Sequence, residues 1–371
     1  MKHVVVVGSG ILGTMHAYKA LASGYSVTHV ERDMEPASAS VRNFGLIWVS
    51  GREAGHELDL ALRARQLWEE IGNKTSIGFR PNGSLTVAVD EREFAVMESA
   101  ASMPDADKRG FEILKRDQVR TLEPLLQGKF YGALHCTQDA VVEPNLLLKG
   151  LRTYLQLNEN YQWIPNFEVV DFSHGDSGNH ITNVQGDRIS GDYLILTPGA
   201  AHAGFLTEFL ENAPIRKVHL QMGATAQISE KLYRSIADAD SFRYYPGFKD
   251  LALDQLHPQE EIAKKYNMQL LLAPRLDGSF TIGDTHEYVE PFTHEILEAP
   301  YDHLSQVISR IFGRNFAIAK RWSGVYSQST SKDIYFRKEI APGAVIVTGA
   351  GGRGNTLSPA IAEETFTLWN Q

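Results

Sequence analysis

The chain has 371 residues, 43% of them apolar and 22% charged, with a formal net charge of −9. That is too apolar for a disordered chain, and the acidic balance argues against nucleic acid or an anionic membrane surface as the main partner. The single cysteine, Cys136, excludes an intrachain disulfide framework and a multi-cysteine metal site.

In chain order, residues 4–7 are a fully apolar run, the mark of a strand buried on both faces. A glycine turn follows, Gly8-Ser9-Gly10-Ile11-Leu12-Gly13, then a helix over 11–22 and a second strand over 25–30 that ends at Glu31. No charged-then-apolar leader stands before the first strand, so a cytoplasmic location is expected, and no apolar run approaches the ~18 residues of a membrane span. Residues 36–52 read as a long loop and 53–71 as a helix whose Glu57, Arg63, Arg65, Glu69 and Glu70 mark a solvated side. Pro81-Asn82-Gly83 is a hairpin signal. Residues 90–127 look helical and polar, 145–155 form a helix, and 192–197 are another buried strand ahead of Pro198-Gly199. Alternating stretches at 217–226, 269–274 and 279–283 predict an antiparallel sheet, and 294–312 a helix. The chain closes with a strand over 344–348, a glycine loop over 349–354 and a last helix. The fold class is therefore α/β: a Rossmann-like dinucleotide domain (1–89, 140–214 and 320–371) with an inserted α+β substrate domain (90–139 and 215–319) built on an antiparallel sheet.

The first glycine motif carries a mechanism. Gly8 permits the tight turn, Gly10 lets a pyrophosphate approach the backbone, and Gly13 lets helix and strand pack closely. The helix N-terminus offers free N–H groups and partial positive charge to the phosphates. Glu31 ends the second strand, where its carboxylate can accept from ribose hydroxyls and repel the 2′-phosphate of NADP. This motif does not separate FAD from NAD. The second glycine loop does more, because it opens another helix whose dipole can stabilise the negative charge that the N1–C2=O edge of a flavin gains on reduction. A nicotinamide dehydrogenase leaves that loop without a task. The 13 histidines show no metal-ligand spacing, so no metal is expected.

Four features in order then resemble a known family. They are the N-terminal β-α-β unit with Glu31; Ser40-Val41-Arg42-Asn43-Phe44-Gly45; Val141-Val142-Glu143-Pro144; and Gly349-Ala350-Gly351-Gly352-Arg353-Gly354-Asn355-Thr356-Leu357-Ser358-Pro359. Together they look like the D-amino acid oxidase type of FAD-dependent amine oxidoreductase, which includes glycine oxidase and sarcosine oxidase. The resemblance implies FAD lined by Gly8, Gly10, Ile11, Leu12, Gly13, Glu31, Arg32, Ser40, Arg42, Asn43, Gly45, Pro198, Gly199, Gly351, Gly352, Arg353, Gly354, Asn355 and Thr356. Sarcosine-type members attach flavin through a cysteine where this chain has Gly324, so non-covalent FAD is expected. Where glycine-type members read Gly-Leu-Arg-Pro, with an arginine that grips the substrate carboxylate, this chain reads Gly324-Val325-Tyr326-Ser327. A neutral phenol cannot form that bidentate ion pair.

The 42–48 run and the closing motif also resemble a narrower branch tied to organophosphonate breakdown, acting on 2-aminoethylphosphonate or its N-methyl derivative. A phosphonate needs several donors from different directions. The expected set is Arg243, Tyr244, Tyr245, Arg275, Tyr326, His219, Gln221 and Arg353. The expected activity is oxidation of a small primary or N-methyl amine by hydride transfer to flavin N5, with hydrolysis of the imine to an aldehyde. Dioxygen or an electron carrier is the acceptor, and no catalytic side chain is singled out. The alternatives are an oxidase of a small amino acid such as glycine or sarcosine, and a dinucleotide-binding protein without turnover. The sequence leaves oligomeric state open.

Overall fold

The computed structural model describes residues 1–176 and 178–369; the last two residues of the expected 320–371 segment lie outside them. A six-stranded sheet runs in the order Phe336–Ala341, Ala344–Thr348, Tyr193–Leu196, His3–Val7, Ser26–Val30, Tyr161–Ile164. Every pair is parallel except the first. Helices cover a parallel sheet, so Val4 to Val6 and Ala344 to Val347 are buried on both faces and show no polar alternation. The first helix, Ile11–Ala22, and the last, Gly354–Thr367, pack side by side. His16 Nε2 and Thr365 Oγ1 join them at 3.0 Å.

An eight-stranded sheet forms the second layer, in the order Ile318–Ser329, Ile215–Thr225, Phe280–Gly283, Leu271–Pro274, Ser235–Asp238, Ser84–Ala88, Gly132–Cys136, Phe111–Lys115. Only Ser235–Asp238 and Ser84–Ala88 pair in parallel. Leu270 and Leu272 face the helix Glu298–Phe312 through Leu304, Val307, Ile308 and Ile311. The alternate residues Leu271 and Ala273 join Trp48, Tyr245 and Tyr326 on the opposite face. The period-2 alternation thus gives this sheet a structural side and a site side.

Several expectations are corrected. Ser84–Ala88 and Ile318–Ser329 belong to the eight-stranded sheet, not to the dinucleotide segments 1–89 and 320–371. Ser84–Ala88 is buried at all five positions, so nothing in its pattern separates it from a strand of the parallel sheet. Gly83 takes a positive φ of +67°, but Pro81-Asn82-Gly83 closes no hairpin, because its flanks do not pair with each other. Arg80 bridges to Val141, and Ser84–Ala88 pairs with Gly132–Cys136. The helical stretch over 90–127 is interrupted by the strand Phe111–Lys115. No helix among the described residues is long and apolar enough to cross a membrane.

Candidate active site

A cavity of about 980 Å³ runs along the C-terminal ends of the parallel strands. The glycine turn forms one wall. A Cβ on Gly8, at φ +96°, would lie 2.6 Å from the Thr197 carbonyl oxygen, and one on Gly13 would lie 1.8 Å from that of Gly8. Only glycine permits this approach of helix to strand. Gly10 caps the first helix without a side-chain bond, and the Ile11 N–H donates to Ser40 Oγ at 3.0 Å. Glu31 lines the same cavity and pins the turn, accepting from Ser9 N at 2.8 Å and Ser9 Oγ at 2.7 Å. At the other end lie Gly324 to Ser327 and Thr348 to Gly352, where the last helix begins. Its Asn355 holds the Leu46 carbonyl through Nδ2 at 3.0 Å, while its buried Oδ1 has no partner.

A second cavity of about 440 Å³ adjoins the first, and Asn43, Phe44, Asp284, Gly352 and Asn355 line both. Its far wall is the segment Trp48 to Arg52, fixed by the buried carboxylate of Asp139. Asp139 accepts from Val49 N at 2.6 Å, Ser50 N at 3.0 Å, Ser50 Oγ at 2.8 Å and Ser84 Oγ at 2.6 Å. Glu57 stands behind this wall, with Arg52 at 3.3 Å and Arg353 at 3.6 Å from the same oxygen. Two guanidiniums share one carboxylate, which leaves an uncompensated positive charge. Arg353 makes no side-chain hydrogen bond among the described residues, and burial pulls its pKa down. A further buried donor, Trp48 Nε1, lacks a partner. The Tyr244 hydroxyl is the electrostatic neighbour of Tyr326, and burial raises the pKa of both phenols.

A cavity of this size, floored by glycines and flanked by two helix N-termini, suits a dinucleotide with an attached ring system. The family model described as DAO, FAD dependent oxidoreductase, matches residues 3–368. The chain belongs to this DAO family and is FAD-dependent. Glycine oxidase from Bacillus cereus ATCC 14579 is similar in structure at TM-score 0.79 and 18% identity, over 100% of this chain and 95% of that one. L-Proline dehydrogenase from P. horikoshii is similar at TM-score 0.80 and 17% identity, over 99% and 93%. At these identities the likeness is one of fold. Among curated relatives, a D-amino acid dehydrogenase of Helicobacter pylori is 22% identical over 251 residues, 54% of this chain and 60% of that protein. The chain spans less than two thirds of the curated relatives it matches.

Within this DAO fold, Gly8, Gly10, Ile11, Leu12, Gly13, Glu31, Arg32, Ser40, Arg42, Asn43, Pro198, Gly199, Gly351, Gly352, Gly354 and Asn355 line the larger cavity. Arg353 and Thr356 line only the smaller one. Gly45 lines neither. It packs on the Val142 carbonyl, where a Cβ would come within 2.2 Å. Arg42 ties its loop to the substrate-side strand, with Nη1 donating to the Ser323 carbonyl at 2.9 Å.

Of the expected substrate set, Tyr244, Tyr245, Arg243 and Arg353 line the smaller cavity and Tyr326 the larger. Four members are corrected as anion ligands. Arg275 pairs with Glu143 at 2.9 Å, away from both cavities. His219 and Gln221 line neither cavity: His219 is bound through Nδ1 to Glu287 at 2.9 Å, with Nε2 buried without a partner, and Gln221 Oε1 accepts from Leu297 N at 2.8 Å. Arg243 reaches the cavity wall, but its Nε, Nη1 and Nη2 are spent on Asp240, the Leu253 carbonyl and the His257 carbonyl.

Sequence reasoning missed Trp48, Arg52, Glu57, Asp284 and His286. Glu57 and Arg65, expected on a solvated face, are buried. Each pairs with a basic or acidic residue near in sequence, Arg52 and Glu69 respectively. The spacing of Arg52 and Glu57 was the one available signal.

Proposed function

We propose that the chain oxidises a small primary or N-methyl amine carrying an acidic head group, with 2-aminoethylphosphonate or its N-methyl derivative preferred. The observation that carries this reading is the donor set of the smaller cavity. Arg353 and Arg52 share Glu57, and Trp48 Nε1 is buried without a partner. The surplus charge calls for an anion, and donors arriving from separate elements suit a tetrahedral head better than a planar carboxylate gripped by one fork. Buried donors without partners are costly until a ligand accepts from them.

The glycine turn and first helix would hold the pyrophosphate of FAD, Glu31 its ribose, and Gly351 to Asn355 would face its ring. When bound, FAD supplies the hydride acceptor for the carbon that bears nitrogen. The chain contributes position: Arg353 and its neighbours hold the head group, so the amine end reaches the junction of the two cavities, and the apolar wall of Phe44, Leu46 and Leu271 limits water there. The imine is then hydrolysed to an aldehyde with release of ammonia or methylamine. Attachment of FAD is non-covalent in this reading, since the lone Cys136 bonds the Arg109 carbonyl and lines neither cavity. The electrons pass to dioxygen or an electron carrier, and the setting is the cytoplasm.

A second reading, oxidation of a small amino acid such as glycine or sarcosine, is favoured by the structural likeness to a protein named glycine oxidase. Mixing the yellow protein with each amine without oxygen and following loss of flavin colour decides between them. Bleaching fastest with an aminoethylphosphonate is the expected result. Faster bleaching by glycine or sarcosine overturns the preference, and no bleaching by any amine returns the chain to a dinucleotide-binding protein without turnover.

A further inference from the structure

An ammonium has no lone pair to expel a hydride, so the amine must lose a proton before it reacts. Asp284 is the one ionisable residue that lines both cavities among the described residues. It follows the strand Phe280–Gly283, is buried, and accepts from Gln269 Nε2 through Oδ1 at 3.2 Å. Its Oδ2 lies 3.5 Å from His286 Nε2. The far nitrogen of His286 fixes the tautomer. Nδ1 stands 2.8 Å from the Asn267 carbonyl, which can only accept, so Nδ1 carries a hydrogen. Nε2 of the neutral ring therefore turns a lone pair towards a carboxylate oxygen. The pair has room for one proton between them: without it the pair is an anion, and with it the pair is neutral.

We propose that Asp284, backed by His286, receives the nitrogen of the substrate and takes its proton. This inference rests on the amine reading above and assigns the other end of the same substrate. The ammonium donates a hydrogen bond to the Asp284 carboxylate. One proton then passes to the Asp284–His286 pair, and the neutral amine is left at the cavity junction. No proton is created or lost: ammonium and anionic pair become amine and neutral pair. Asp240 and the cations Arg52, Arg216 and Arg243 line the smaller cavity with Asp284, and the phenols that interact with it are those of Tyr244, Tyr245, Tyr288 and Tyr326. All four are raised by burial, so they stay neutral and cannot compete for the proton. Tyr244 also stacks on the His286 ring at 4.4 Å and holds it in plane with its task. Burial raises the Asp284 pKa, the direction that a proton acceptor at neutral pH requires. The cation Arg353, on the wall of the smaller cavity, completes a dipolar pocket with a positive and a negative end.

The test uses the FAD-loaded protein and two non-oxidisable probes. 2-Amino-2-methylpropylphosphonate has no hydrogen on the amine-bearing carbon, and ethylphosphonate has no amine. Calorimetry in buffers of different ionisation enthalpy gives affinity and protons exchanged. Asp284→Asn should weaken the amine probe about 10–100-fold, the worth of a charge-assisted hydrogen bond, and leave ethylphosphonate unchanged. In turnover it should lower kcat/KM by about 10²–10⁴-fold and abolish the acidic limb of its pH profile. His286→Gln should shift that limb, and it makes the same comparison if the Asn variant fails to retain FAD. An unchanged preference for the amine probe together with an unchanged acidic limb overturns the proposal while leaving the head-group reading intact. If wild type binds neither phosphonate but bleaches with sarcosine, the phosphonate reading falls, and 2-aminoisobutyrate against isobutyrate then decides the role of Asp284.

Discussion

Arg353 stands at the end of a buried chain of charge, Arg52 to Glu57 to Arg353, in which the single carboxylate cannot neutralise both cations. Removing Arg353 leaves Arg52 and Glu57 as a matched pair, so the fold should tolerate the loss while the pocket turns neutral. Arg353→Met is expected to lower kcat/KM for an anionic amine about 10–100-fold, chiefly through KM, as loss of a charge-assisted hydrogen bond predicts. Steady-state kinetics on the FAD-loaded variant checks this, and an unchanged KM would remove Arg353 from the anchor. Tyr326 offers the complementary change. Tyr326→Arg restores a fork at the position where glycine-type relatives grip a carboxylate, so preference should move from phosphonates towards amino acids, read as the ratio of kcat/KM for sarcosine and 2-aminoethylphosphonate.

The first helix shows how an element acquires its place. Gly13 meets the Gly8 carbonyl so closely that one methyl cannot be accommodated, and the displacement would pull the helix N-terminus off the pyrophosphate site. Gly13→Ala should therefore be purified colourless or lose FAD on gel filtration, a result read directly from the flavin absorbance. Two buried histidines fasten the same unit. His16 bonds the Leu12 carbonyl and Thr365 Oγ1, and His29 bonds the Gly8 carbonyl and the Tyr161 hydroxyl. Burial lowers both pKa values from 6.5 to about 4. Their neutral forms belong to the folded state, and the unfolded chain gains protons first as pH falls. Stability is thus full above about pH 6.5 and declines towards pH 4, by up to about 3 kcal/mol for each histidine. Melting curves from pH 7 to pH 4.5 should show this fall, and His16→Gln should flatten it.

Across the whole molecule, Glu143 sits where the chain returns from the eight-stranded sheet to the helix Pro144–Leu155. It binds Arg275 at 2.9 Å, the Leu276 N–H at 3.0 Å and Arg80 at 3.5 Å. This knot clamps the substrate-side sheet to the dinucleotide side. Arg275→Met should cost about 3 kcal/mol, the scale of breaking a buried ion pair, with Arg80 left to hold Glu143. A lower denaturant midpoint with an unchanged m value, and unchanged kcat/KM, is the expected outcome. A raised KM instead would return Arg275 to the substrate site.

The dinucleotide unit was legible from the chain alone, because its signals are local. Val4 to Val7, the spaced glycines, the helix over 11–22 and Glu31 lie within one β-α-β unit, and each residue type is dictated by a neighbour close in sequence. The closing glycine loop was legible for the same reason. The substrate pocket was not. Arg353 could be named beside its loop, but Arg52, Glu57 and Trp48 come together only because Asp139, about ninety residues further on, fixes the Trp48–Arg52 turn. Arg275 and Arg243 looked like anion ligands because sequence shows a charge but not the partner that already holds it. Asp284 and His286, two residues apart, lie just past the alternating stretch over 279–283 and belong to no motif. Their meaning depends on the Asn267 carbonyl behind the imidazole and on two cavities meeting at the carboxylate. Sequence alone determined what short-range sterics and helix dipoles impose, namely where a dinucleotide can lie. Tertiary structure decided which buried charges remain unpaired, since pairing is a property of distance in space and not of separation along the chain.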